Sequence, residues 1–101
     1  MEVFNLLENL EFSSDEEVEE IIYEDDKIRV LRTMSLDQET DYMTQDEDEL
    51  VILVAGEGSI QTDDEIIKMK PSDCIYIPYG QSHKVVDQDK AVWFCVFIKN
   101  K

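Results

Sequence analysis

The chain holds one histidine, one tryptophan, two cysteines, two prolines and three glycines in 101 residues. With a single imidazole, no nucleophile–histidine–acid triad can be assembled around any base other than His83. Two cysteines, Cys74 and Cys95, are too few for a disulfide scaffold and lack the Cys-x-x-Cys spacing of structural zinc. Both lie in apolar runs, so the expectation is two buried thiols acting as small hydrophobes. A thiolate catalyst would need one of them beside His83. Basic residues are scarce as well: 9 Lys and Arg face 25 Asp and Glu, a formal net charge of -16. That balance makes phosphate backbones and anionic membranes poor partners, so neither nucleic acid nor a membrane is expected. Long hydrophobic runs are also missing. The longest, 91–98, is far short of the roughly 18 residues of a membrane span. The opening MEVFNLLENL has no basic stretch before its apolar residues, and a soluble, cytoplasmic protein is expected.

What is present is a folded-protein composition, 43% hydrophobic, in a length suited to one domain. Ser14 followed by Glu17 has the form of a capping box, and Val18, Ile21 and Ile22 follow at helical spacing. The spacing predicts a short helix over 15–22, packed as a flap on the main core. From there the texture is that of strands. IRVLRTM (28–34) alternates, and LVILVA (50–55) is apolar on both faces and so buried on both sides. Gly56-Glu57-Gly58 is expected to turn; it is no phosphate loop, since no lysine follows and no helix opens there. SIQT and EIIKM flank a hairpin tip at Asp63-Asp64, and Pro71-Ser72-Asp73 precedes the strand CIYI. HKVV and AVWFCVFI read as two strands separated by a polar turn over 87–90. Short strands at such intervals indicate a β-sandwich or barrel.

Two stretches carry a family resemblance. SDCIYIPYGQSHKVVD matches Gly-x5-Pro-x-Gly-x2-His-x3-Asn at Pro78, Gly80 and His83, with Ser72 for the first glycine and Asp87 for the asparagine. Glu49 and Gly56 match the Glu-x6-Gly end of a second pattern, Gly-x5-His-x-His-x3–4-Glu-x6-Gly. Its two histidines fall on Met43 and Gln45, or on Tyr42 and Thr44 with the longer spacing; none is histidine. These patterns resemble the two motifs of the cupin superfamily. YMTQDEDE, the amino-terminal segment and the AVWFCVF strand resemble more closely a group of small single-domain cupins of unassigned activity, which carry Trp-Tyr-Asp-Gln before Asp-Glu. The resemblance implies an all-β jelly-roll barrel (a double-stranded β-helix) over 27–101, preceded by a segment 1–26 with the short helix. It implies a site inside that barrel, and assembly as a homodimer.

Gln45 and Glu49 stand about 13 Å apart if the chain between them is extended, so 46–48 must turn for them to meet. Together with His83 they offer an imidazole nitrogen, a carboxylate and an amide oxygen. That mixed set suits a divalent ion such as Zn, Mn, Fe or Ni, held more weakly than three histidines would hold it. The competing readings are a half-buried, hydrogen-bonded His83, a solvated Glu49 continuing the run 46–48, and a Gln45 that only makes hydrogen bonds. Met43 is expected to line the barrel, and Tyr76, Tyr79, Trp93 and Phe97 to form its core or wall. Met43, Tyr76, Trp93 and Phe97 are the pocket-lining candidates. Three functions remain open: a metal-dependent enzyme on a small polar molecule, a binding or sensing barrel with or without metal, and an interaction protein with an acidic surface. We expect a small-molecule-binding barrel with a divalent metal site. No catalytic residue, substrate or reaction is readable.

Overall fold

β-Branched and aromatic residues after position 17 form six strands in a computed structural model of the chain, which describes residues 1–99. These are β1 Val18–Glu24, β2 Ile28–Ser35, β3 Glu47–Gln61, β4 Ile66–Met69, β5 Cys74–Ile77 and β6 Lys84–Lys99. All pair antiparallel in one sheet of order β1-β2-β6-β3-β4, with β5 against the first half of β3. The fold is all-β, as the sequence predicts, and no helix occurs among the described residues.

The predicted helix over 15–22 is therefore a correction. Val18–Glu24 is an edge strand paired with β2, Val18 opposite Met34 and Glu24 opposite Arg29. Val18, Ile21 and Ile22 are β-branched and lose rotamer freedom in a helix, and the partner strand decides the matter. Glu17 closes no capping box; its carboxylate accepts from the Ser35 hydroxyl at 2.8 Å. Because β1 lies within 1–26, that segment and the remainder share one sheet. Arg32, only 1% exposed, ties the first residues down. Its guanidinium donates to the carbonyls of Asn5, Leu6, Glu8 and Asn9 and to Glu20, and it lies 4.9 Å from the Phe4 ring centre.

Two expected turns are bends inside long strands. Gly56–Gly58 lies within β3 and 87–90 within β6, and the two regions face each other, Glu57 opposite Asp89. The register slips on both sides of Glu57, Gly56 takes φ +81°, and Asp87 and Lys90 take φ +55° and +49°. Such bulges bend and twist a strand without ending it, which is how the two longest strands curve round a common interior. Gly58 fits there because the Trp93 ring lies where a side chain would be: an added Cβ would come 2.4 Å from Cζ2.

Leu31, Val51, Leu53, Ile60, Met69, Ile77, Ala91, Trp93 and Cys95 form the buried cluster, each large side chain contributing about 2 kcal/mol. Trp93 donates its indole N–H to Gln88 at 2.7 Å, and Gln88 donates to the Gln38 carbonyl at 2.7 Å. Cys95 is buried as expected; Cys74 is exposed, because the alternation of β5 turns it away from the cluster.

Candidate functional site

Pro78 and Gly80 make the turn that delivers His83. Gln81 N–H donates to the Pro78 carbonyl at 3.1 Å and Gly80 takes φ +81°, a conformation that glycine adopts without strain. Asp48 fixes the turn from outside, accepting from the Tyr79 amide and the Tyr76 hydroxyl at 2.6 Å each. His83 then bridges to Met43 through two backbone hydrogen bonds of 2.8 and 3.0 Å. Its ring is buried, with the residue 2% exposed. Nδ1 lies 3.0 Å from the Gln81 carbonyl, which can only accept, so Nδ1 carries the hydrogen. In the neutral ring Nε2 is then the acceptor, and it faces the Gln45 amide at 3.3 Å.

Gln45 arrives on the loop that crosses from β2 to β3, anchored where Gly80 N–H donates to its carbonyl at 3.0 Å. The backbone bends at Asp46 and β3 begins at Glu47, so one bend suffices for the Gln45 side chain to fold back over Glu49. The Gln45 amide nitrogen donates to Glu49 Oε1 at 3.0 Å, and Glu49 Oε1 lies 3.8 Å from His83 Nε2. The three residues singled out in the sequence thus converge, with the amide nitrogen of Gln45 within 3.3 Å of the other two. Burial pushes the Glu49 carboxyl above its ordinary range, opposed by the Gln45 hydrogen bond, the His83 ring and the Cys95 thiol. Burial, with Glu49 next in weight, raises the Cys95 thiol well above the usual thiol range. It stays protonated and donates to Glu49.

These groups form one wall of a cavity of about 760 Å³, within the size range of small-molecule sites. Met43, Trp93 and Phe97 line it. Tyr76 does not: it points outward to Asp48 and is half-exposed, as is Tyr79, so neither belongs to the barrel core. The sequence reading missed the hydrogen-bonding role of Cys95 and the cavity residues Glu17, Glu19, Arg29, Thr33 and Glu47. Period-2 alternation carries the signal for Arg29, Leu31 and Thr33, which share the inner face of β2. Reading 15–22 as a helix hid Glu17 and Glu19. Arg29 pairs with Glu47 at 3.2 Å and stacks 4.4 Å from the Phe97 ring centre.

Against a divalent ion, the donor set is sparse. Glu49 supplies one hard oxygen donor and His83 one borderline nitrogen, and Gln45 would add its amide oxygen only by turning over, since its nitrogen now faces both. Among the described residues no three His, Cys, Asp or Glu side chains come together as an ion site. The set fits a weakly held ion and carries a ligand charge of only about -1.

The family model described as a cupin domain matches residues 35–97. The chain belongs to the cupin family. No curated protein matches it. A solved structure of a proposed mannose-6-phosphate isomerase from Ralstonia eutropha JMP134 is similar at 21% identity, with a TM-score of 0.91 over 99% of this chain and 100% of that one. TT1209 from Thermus thermophilus is similar at 15% identity and a TM-score of 0.87, covering 100% of both chains. An RmlC-like cupin from Desulfovibrio desulfuricans gives 21% identity and a TM-score of 0.81, covering 97% of this chain and 95% of that one. At these identities the likeness establishes the fold.

Proposed function

We propose that this cupin binds a small polar molecule inside its barrel, with Gln45, Glu49 and His83 as the polar head of the site. The observation behind the reading is the convergence of these three side chains, 3.0 to 3.8 Å apart, on one wall of the cavity. An interior built only for stability gains little from a buried carboxylate and imidazole, since apolar residues of similar volume would serve as well. Thermal-shift screening of polar small molecules against wild type, His83→Ala and Glu49→Gln tests it. A ligand-dependent rise in Tm that both substitutions abolish supports the site. A rise that both variants retain overturns it.

A second reading, a divalent ion between Glu49 and His83, is favoured by the Nδ1–H tautomer, which turns the Nε2 lone pair inward. The bound ion would act as a Lewis acid towards a polar substrate and make the barrel a metal-dependent enzyme. Elemental analysis of untagged protein checks it: about one Zn, Mn, Fe or Ni per chain, lost in both variants, is the expected result. The homodimer and the cytoplasmic location are also proposals. β1 is an edge strand with Ile21 and Tyr23 exposed, and light scattering gives the mass in solution. No helix among the described residues is long and apolar enough to cross a membrane.

A further inference from the structure

The carboxylates on the β1 side of the cavity have no cation to answer them. Glu19, solvent-exposed where it lines the cavity, stands opposite Thr33, and Thr33 opposite Trp93, so the three form one row across β1, β2 and β6. Glu17, two residues earlier on the same face, accepts only from the neutral Ser35 hydroxyl. Arg29, the one cationic side chain lining the cavity among the described residues, is taken by Glu47 and stacked on Phe97. No lysine or arginine among the described residues pairs with Glu17 or Glu19.

Thr33 supplies an independent observation. It is 7% exposed and lines the cavity, yet its hydroxyl bonds to no other described residue. Since no fully occluded side-chain nitrogen or oxygen lacks a partner among the described residues, that hydroxyl opens into the cavity. An unpaired hydroxyl beside two carboxylates without a counter-ion presents three acceptor groups. A protonated amine has three N–H donors and a positive charge. We infer that the cavity takes an organic cation, an amine whose ammonium group sits among Glu17, Glu19 and Thr33 while its carbon body lies against Trp93. The inference rests on the small-molecule reading above and names its ligand class. Burial of Glu17, with Glu19 as a like charge nearby, pushes the Glu17 carboxyl above its ordinary range, a strain that a bound cation would relieve.

Trp93 is the only tryptophan, so its fluorescence reports on the cavity and not on the surface. The test titrates 1,4-diaminobutane, 1,4-butanediol and succinate at about 0.15 M salt, where attraction to the acidic surface is screened. The diamine is expected to shift Trp93 emission. Its Kd should weaken about tenfold in Glu17→Gln, which keeps the Ser35 hydrogen bond, and about fivefold in Thr33→Val, which keeps the shape. Asp63→Asn at the exposed hairpin tip should leave Kd unchanged. Equal weakening by Asp63→Asn would mean binding to the charged surface and would overturn the inference. A shift with succinate or butanediol and none with the diamine would overturn the cationic class and leave a small-molecule barrel standing. Silence from all three ligands also overturns the inference, while the thermal-shift screen judges the broader reading separately.

Discussion

Gln45 donates its amide nitrogen to Glu49 at 3.0 Å and holds the same nitrogen 3.3 Å from His83 Nε2. One neutral amide thus links a buried carboxylate and a buried imidazole that themselves lie 3.8 Å apart. The amide does for both groups what a cation between them would do, and it adds no charge.

Gln45→Leu should therefore leave Glu49 and His83 short of a partner inside the barrel. Urea unfolding should show a loss of about 1–3 kcal/mol, the usual cost of orphaning a buried polar group. A change below a few tenths would mean that water replaces the amide freely.

Acidity acts on two sets of carboxyls with opposite sign. Burial raises Glu17 above its ordinary value of 4.5, so its contribution is fully present below 4.5 and is lost as pH rises through the folded value. Glu17→Gln removes that penalty. The variant should match wild type near pH 4 and exceed its Tm near pH 8, in paired melts. Asp48 is the reverse case. The Tyr76 hydroxyl and the Tyr79 amide hold it below its ordinary 3.8, so its contribution is present above 3.8 and fades as pH falls through the lower folded value.

The two thiols should differ sharply in reactivity. Cys74 is exposed, whereas Cys95 is buried and protonated against Glu49. A disulfide reagent at pH 8 should titrate one thiol in the native protein and both in denaturant. Two fast native thiols would contradict the placement of Cys95.

Much of the site is legible in the sequence because its signals are local. Pro78 and Gly80 specify a turn by their own backbone chemistry, and His83 has no rival in the chain. The alternation of 28–34 likewise marks β2 without tertiary help. Other features depend on a partner that sequence spacing does not show. Val18, Ile21 and Ile22 stand at helical spacing yet are β-branched, and only pairing with β2 makes them a strand, with Ile21 on the face opposite Val18 and Ile22. Glycine at 56 and 58 and the polar run 87–90 look like turns, yet each is a bend made tolerable by the other. Tyr76 lies on the outer side of β5, where Asp48 holds its hydroxyl. Cys95 becomes a hydrogen-bond donor only because β6 sets it beside Glu49.

The bend has its own test. Gly58→Ala should drive a methyl group into the Trp93 ring and disturb its 2.7 Å bond to Gln88. The expected cost is about 1–3 kcal/mol, with a shifted Trp93 emission spectrum. An unperturbed spectrum at full stability would mean that the ring is not packed on this glycine.

The role given to His83 is tested most directly by the ¹⁵N spectrum of its ring, which in this chain gives a single pair of resonances. A protonated Nδ1 and an unprotonated Nε2 are expected in the free protein, with Nε2 moving when any ligand that raises the Tm is added. An Nε2–H tautomer, or a ring indifferent to every such ligand, would contradict the claim that His83 faces the site through Nε2.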